Sequence, residues 1–156
     1  MARGSEDTRR RIFLAATAEF AAHGIAGARI DRIAATARAN KQLIYAYFGN
    51  KRALFEAVVS DHVTRLLEDV PFDPTDLPGH AAALFDFYVA NPQVAQLVGW
   101  HSLEPSERDH RIPVIETAFR GRTRAVADAQ ARGLIDASID AAQLIDLIAA
   151  IASASA

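Results

Sequence analysis

Apolar side chains recur along this chain at the three- and four-residue spacing of a helix. In the first segment, one such stripe is formed by Ile12, Ala15, Ala16 and Phe20. No segment of useful length alternates between apolar and polar residues as a half-buried strand does. The spacing therefore predicts an all-α protein.

Glycine, asparagine and proline mark the ends of the helices. Gly24 and Gly49 are expected to follow helix C-termini, Asn40 and Asn50 to cap N-termini, and Pro92 to start a helix. A seventh helix stops before Gly133 and either begins at Pro113 or begins near Ser106 and kinks there. The other predicted helices span about Glu6–His23, Asp31–Ala37, Lys41–Phe48, Lys51–Asp69, Pro78–Ala90, Pro92–Ser102 and a last one within Ile139–Ser153.

Composition limits the class of protein. Of the 156 residues, 51% are hydrophobic, which suits one packed domain or a small module joined to a larger body. There is no cysteine, so neither a disulfide framework nor a thiolate metal site is expected. No apolar run approaches the roughly 18 residues of a membrane span, and the start MARGSEDTRRRIF lacks a secretory signal. We therefore expect a soluble, cytoplasmic protein.

The net charge of −2 hides a difference between the two ends of the chain. Residues 1–65 hold 11 Lys and Arg against 6 Asp and Glu, whereas residues 66–156 hold 6 against 13. A basic module on an acidic body is expected when one end binds a polyanion. A Pro-rich stretch, VPFDPTDLPGH at 70–80, reads as a connection between modules.

Two short helices joined by ARAN follow the longer first helix, an order typical of a helix-turn-helix. In that arrangement the second short helix lies in the major groove, where its outward side chains meet base edges and phosphates. We expect Leu43, Ile44 and Phe48 to point into the core of the three helices. The rest of the helix then faces outward.

The outward side chains have the chemistry of DNA contacts. Lys41 can pair with a phosphate or a guanine edge, and Gln42 can bond bidentately to adenine. Tyr45 and Tyr47 can donate to phosphate or pack on a thymine methyl, and Ala46 is small enough to allow close approach. Each residue alone also fits an ordinary surface or half-buried role. The interpretation depends on their falling on one face.

Further phosphate contacts are expected nearby. Asn50 and Lys51 fall at a helix N-terminus, where free N–H groups and the helix dipole favour an anion. Arg3 and the run Arg9–Arg11 can add contacts from the N-terminal arm and first helix.

Residues 9–59 carry the signature of a known family. RRRIFLAATAEFAAHG and IDRIAATARANKQLIYAYFGNKRALFEAVV resemble the first four helices of the TetR family of bacterial transcriptional regulators. The stretch includes that family's Tyr-x-Tyr/His-Phe-x-x-Lys pattern in Tyr45, Tyr47, Phe48 and Lys51. Beyond it, the resemblance is one of helix count and order.

The resemblance implies a DNA-binding domain over 1–50 and a helical effector-binding and dimerisation domain over 51–156. It implies a homodimer, most often a repressor, whose two third helices enter successive major grooves of a palindromic operator. A small-molecule effector bound among helices four to seven would move helix four and lower the affinity for DNA. The expected DNA contacts are Arg3, Arg29, Asn40, Lys41, Gln42, Tyr45, Ala46, Tyr47, Asn50 and Lys51.

The sequence departs from the family pattern in two places. Arg29 stands where the family usually has Thr or Ser capping the second helix, and its charge can still reach a phosphate. The sequence also ends soon after the eighth helix, where the family normally has a ninth helix that pairs with the eighth in the dimer interface. Either this chain is shortened, or dimerisation uses the eighth helix in another way.

Large side chains of helices five to seven are candidates for the effector cavity. Each fits an ordinary core position as well, but the N–H groups of Trp100 and His101 need partners if buried. The candidate ligand contacts are Phe85, Tyr88, Trp100, His101 and Phe119. The histidines show no metal spacing, and no cofactor is expected.

Two other classes of function compete with the regulator. An enzyme is disfavoured because the chain has no phosphate loop, paired metal carboxylates or nucleophile elbow. A helical protein-interaction module with no DNA binding remains the alternative. Only the regulator predicts affinity for DNA that falls steeply with salt.

Overall fold

The computed structural model describes residues 2–103 and 112–154, except for the side chains of residues 2 and 3. Within these residues the chain forms helices and no strand, which confirms the all-α prediction. The helices are α1 (Ala2–Gly27), α2 (Ile30–Ala37), α3 (Lys41–Phe48), α4 (Lys51–Asp69), α5 (Leu77–Ala90), α6 (Pro92–Leu103), α7 (Pro113–Ala131) and α8 (Ala141–Ser153).

Side-chain caps begin four of the described helices, α3, α4, α5 and α8. Asn40 Oδ1 accepts the Leu43 N–H at 2.8 Å at the start of α3. Asp76 and Asp140 do the same for α5 and α8, with N–O distances of 3.0 and 2.9 Å to Gly79 and Ala142. Such caps satisfy N–H groups that have no partner inside a helix.

The start of α7 settles the question that Pro113 posed. Ile112 has an extended backbone, with φ −82° and ψ 113°, so α7 begins at Pro113 instead of continuing an earlier helix through a kink. Ser106, the alternative start, lies outside the described residues, while Leu103 ends α6.

The first helix is longer than the sequence indicated. It begins at Ala2 instead of near Glu6 and continues to Gly27, with a break at Gly24. Gly24 has φ 63° and ψ 179°, a backbone conformation that is essentially restricted to glycine. The predicted role of Gly24 as a helix breaker is therefore correct, but one more helical turn follows it.

The chain packs as two compact units. The head unit consists of Met1–His62 with Gln96–Glu104, and the body unit of Val63–Ala95 with Pro105–Ala156. Two helices, α4 and α6, therefore contribute residues to both units. The domain boundary at residue 50 stays a prediction from sequence.

The core of the head unit is built on the stripe predicted for α1. Ile12, Ala16 and Phe20 are fully buried, and the Phe20 ring meets the edge of Phe55 with centroids 5.2 Å apart. Ile33 of α2 and Ile44 of α3 are buried against them. These side chains hold the two short helices on α1.

The body unit has a separate core, in which α5 and α7 pack on α8. It is formed by Leu77, Val126, Ala141, Ile145 and Ile148. On α8 the buried residues recur at three- and four-residue spacing, and the opposite face exposes Leu147 and Ile151. Among the described residues, no helix combines the length and apolar character that a bilayer crossing requires.

Candidate nucleic-acid interface

One edge of α3 faces solvent and carries the polar side chains that the sequence singled out. Gln42, Tyr45 and Ala46 are exposed, with Tyr45 at 46% exposure, whereas Ile44 is buried beneath them. Leu43 was expected in the core, and that prediction is wrong: the side chain is 37% exposed. An eight-residue helix buries one narrow stripe, and Leu43 lies about 100° around the helix from Ile44.

Lys41 lies at the start of the same edge and forms an ion pair with Asp31 of α2. Both side chains are more than half exposed. The hydrogen bond and charge of Asp31 raise the pKa of Lys41, so the ammonium group stays charged at neutral pH. Because exposed pairs are weak, Lys41 can exchange this carboxylate for a phosphate at little cost.

Tyr47 and Phe48 link the end of α3 to α1. The hydroxyl of Tyr47 lies 2.8 Å from Ser5 Oγ, and the guanidinium of Arg9 lies 5.7 Å from the centre of the Phe48 ring. Both aromatic side chains are half-buried. The Tyr47 hydroxyl is therefore held at the surface beside α1 by Ser5.

The N-terminus of α4 forms a second polar site in the head unit. Asn50 Oδ1 accepts the Ala53 N–H at 2.8 Å, so Asn50 caps α4 as predicted. The half-buried Lys51 donates to the carbonyl of Ala28 at 3.2 Å. With Ile25, Ala26 and Arg52, these two residues line an open cavity of about 420 Å³.

A carboxylate that the sequence reading missed organises the start of α2. Arg29 makes no side-chain cap; its backbone N–H instead donates to Glu19 of α1 at 2.9 Å. Arg32 donates to the same Glu19 oxygen from Nε at 2.8 Å. Burial raises the pKa of Glu19, but the hydrogen bonds and the positive charges nearby lower it by more. The pKa of Glu19 is therefore below its ordinary value. No local pattern reveals this role, because Glu19 lies on α1 and Arg29 lies 10 residues later, just before α2.

The remaining arginines are divided between structure and solvent. Arg11 donates from Nε to the carbonyl of Ala37 at 3.1 Å, joining α1 to the end of α2. Arg10 and the Arg29 side chain are exposed. The side chain of Arg3 lies outside the described residues. The roles of all these residues in DNA binding stay predictions.

The candidate effector residues are divided between the two units. Trp100 and His101 belong to the head unit, whereas Phe85, Tyr88 and Phe119 belong to the body unit. Trp100 Nε1 donates to the carbonyl of Ala21 at 2.9 Å, so its N–H has a partner within the protein. The effector role predicted for the five residues stays a prediction.

The body unit contains a polar cluster around Phe72. The Arg122 guanidinium lies 5.1 Å from the centre of the Phe72 ring, and His80 meets that ring edge-on at 5.0 Å. His80 Nδ1 donates to the carbonyl of Pro71 at 2.8 Å. Burial raises the pKa of the Tyr88 hydroxyl, which the charge of Arg122 partly offsets.

A second feature of the body unit is an open cavity of about 480 Å³ along α7. Phe119, the only one of the five candidates among its described lining residues, shares it with Thr123. The Thr123 hydroxyl is buried and, within the described residues, has no hydrogen-bond partner. The other lining residues described are Glu116, Arg120, Arg124 and Ala127.

Comparisons with known proteins match both parts of the chain. Residues 12–58 match the family described as bacterial regulatory proteins, tetR family, and residues 76–156 match the tetracyclin repressor-like C-terminal domain. The HTH-type transcriptional repressor SCO4008 of Streptomyces coelicolor is 48% identical over 154 residues, which are 97% of this chain and 80% of the relative.

Solved structures share the fold. The putative transcriptional regulator SCO4942 from Streptomyces coelicolor is 43% identical with a TM-score of 0.80, covering 94% of this chain and 78% of that one. FadR from Bacillus subtilis, solved with stearoyl-CoA, is 18% identical with a TM-score of 0.70, covering 94% and 86%. With a helix-turn-helix head, matches along both units and a close relative that represses transcription, the chain belongs to the TetR family of DNA-binding transcriptional regulators.

Proposed function

We propose that the protein is a homodimeric repressor that binds a palindromic operator through α3 and is released by a small molecule bound in the body unit. The observation that supports it most directly is the exposed edge of α3. Lys41, Gln42 and Tyr45 there combine a cation, a bidentate amide and an aromatic hydroxyl. No other described helix in the head unit offers that combination to a groove.

Phosphate contacts would flank this reading edge. The capped N-terminus of α4 and Lys51 lie beside an open cavity, and Lys51 donates to a backbone carbonyl that it can exchange for a phosphate. Arg29 has an exposed side chain and would contact the phosphate backbone of the DNA beside the start of α2.

The dimer is inferred from α8. Leu147 is 47% exposed and Ile151 68% exposed, one helical turn apart, so α8 presents an apolar strip opposite its buried face. A second copy would cover both strips at once, as a two-fold interface requires.

Release from DNA by an effector is inferred from the way the chain divides into two units. Both α4 and α6 contribute residues to the two units, so an effector that alters them in the body unit would also alter the head unit. FadR from Bacillus subtilis, solved with stearoyl-CoA, illustrates a ligand on this fold.

Selection of DNA from a random pool by the purified protein tests the proposal. We expect a palindromic consensus with half-sites about one helical turn apart and affinity that falls steeply with salt. A protein-interaction module would return no consensus. An asymmetric consensus would contradict the dimer alone.

A further inference from the structure

Arg122 is a charged residue in the inward row of α7. That row runs through Ile115, Ala118, Arg122, Val126 and Ala129 at helical spacing, and Val126 and Ala129 are buried in the body core. An arginine at such a position costs free energy unless an anion or several acceptors compensate its charge.

The surroundings of Arg122 supply no such compensation. Across residues 2–103 and 112–154, the guanidinium makes neither an ion pair nor a hydrogen bond; its contact is with the face of Phe72. A ring on one face leaves the N–H donors at the edge of the guanidinium unused. Arg122 is half-buried, so a small molecule can reach those donors.

Neighbouring groups add hydrogen-bonding capacity without adding charge. Tyr88 is 4% exposed and lies two helical turns after His80 on the same buried row of α5. Its hydroxyl, in the part of the chain that is described, has no hydrogen bond. Burial and the charge of Arg122 lower the pKa of His80, although the carbonyl of Pro71 opposes this. The cluster therefore carries one positive charge at neutral pH.

We propose that the effector carries a single carboxylate, which pairs with the Arg122 guanidinium and accepts a hydrogen bond from Tyr88 while its apolar part lies in the body unit. A carboxylate matches the fork of the guanidinium and balances one charge, whereas a phosphate monoester would leave excess negative charge in a largely apolar site. The inference rests on the proposed release by a small molecule and names the chemical class of that molecule.

A first experiment needs no ligand. Replacing Arg122 with Met keeps an unbranched, flexible side chain that can still contact Phe72 and removes the uncompensated charge, so Arg122→Met should raise the melting temperature of the free protein by a few degrees. The matched control is Arg132→Met, an exposed position directly after the same helix, which should leave the melting temperature nearly unchanged. A lower melting temperature for Arg122→Met would mean that Arg122 has a structural partner, and would overturn the proposal.

A second experiment compares three probes that differ only in the head group: decanoate, methyl decanoate and decylamine. Calorimetry on the full chain should show decanoate binding roughly tenfold to a hundredfold more tightly than the ester, with the amine weakest. Arg122→Met should abolish the preference for the acid, and Arg132→Met should keep it. Equal binding of acid and ester, or no binding of decanoate to the wild-type protein, would overturn the proposal.

The operator separates this inference from the proposed function. Gel shifts without any probe test DNA binding alone, and calorimetry without DNA tests the carboxylate site alone. A protein that binds its operator but ignores decanoate refutes the carboxylate site and leaves the regulator standing. A protein that binds decanoate through Arg122 but selects no DNA supports the carboxylate site and refutes the regulator.

Discussion

At the scale of single residues, the head-unit groups that we propose to contact DNA have partners that DNA could displace. Lys41 pairs with Asp31, Lys51 donates to the Ala28 carbonyl, and Tyr47 contacts Ser5. These contacts hold the side chains near the surface that a duplex would meet. An exposed pair contributes little to stability, so its exchange for a phosphate is favourable.

Asp31 is the negative charge beside this surface, and its removal should strengthen DNA binding. Asp31→Asn frees Lys41 and ends repulsion of the phosphates, so we expect roughly two- to fivefold tighter operator binding at low salt. Fluorescence anisotropy with labelled operator measures this. Glu68→Gln removes an equal charge from an exposed site of the body unit and should have a smaller effect. Unchanged or weaker binding by Asp31→Asn would place Lys41 away from the DNA.

At the scale of helices, the sequence predicted what depends on local chemistry. Both ends of α3 and the start of α4 follow from Asn40, Gly49 and Asn50. The buried stripe of α1 follows from the spacing of its apolar residues. Contacts between distant segments could not be predicted, such as Glu19 with Arg29 and Arg32. The unusual left-handed backbone of Arg38, with φ 51°, also has no local signal, because glycine is the residue expected there.

Only part of the candidate site could be predicted, for the same reason. The outward edge of α3 follows from helical period and residue type, although Leu43 shows that a short helix leaves one inward position uncertain. Arg122 could have been noticed, since it interrupts an apolar row at helical spacing. That its guanidinium makes no ion pair or hydrogen bond to the described residues is visible only in the packed body unit.

Asn40 allows capping to be separated from DNA contact. Asn40→Ala removes the acceptor of the Leu43 N–H and should lower the free energy of unfolding by about 1 kcal/mol, whereas Asn40→Ser keeps a capping oxygen and most of the stability. Urea unfolding measures both variants. If Asn40→Ser matches the wild type in stability and in operator binding, Asn40 is a cap and not a DNA contact.

The apolar strip of α8 makes a prediction about assembly. Ile151→Glu puts a charge on the proposed interface and should raise the dimer dissociation constant by at least about thirtyfold, because burying an unpaired carboxylate is costly. Sedimentation across a concentration series measures it. Leu134→Glu, an exposed position after α7, serves as the control. A dimer of undiminished strength in Ile151→Glu would place the interface elsewhere.

At the scale of the whole molecule, residues far apart in the chain complete the head unit. Trp100 and Ala21 are 79 positions apart, yet the indole N–H donates to the Ala21 carbonyl. A Cβ added at Gly24 would lie 2.9 Å from Trp100 Cδ2. The indole therefore needs glycine at this position for space as well as for backbone conformation.

Gly24→Ala should consequently destabilise the protein by about 2–4 kcal/mol, from backbone strain and overpacking together. Trp100→Val removes the ring, so adding Gly24→Ala to that variant should cost only the backbone strain. Urea unfolding of the two single variants and the double variant gives the coupling energy. Strictly additive effects would show that the ring does not press on position 24.

His80 makes stability depend on pH. Its native pKa is lowered, chiefly by burial, so below the unfolded pKa of about 6.5 the unfolded chain takes up a proton that the native protein does not. The contribution of His80 is therefore complete above that pH and is lost as the pH falls through the native pKa. The melting temperature should drop between pH 7.5 and 5.5, and less steeply in His80→Gln. An unchanged slope in His80→Gln would show that another group carries the pH dependence.

The packing of Trp100 against α1 has a consequence for shortened forms of the protein. A fragment ending at His62 keeps the whole helix-turn-helix but loses the indole that covers Gly24 and binds the Ala21 carbonyl. Chimeric proteins that join residues 1–62 to a foreign sensor domain would leave the apolar surface around Gly24 exposed. They would need a segment with a tryptophan of its own to cover that surface.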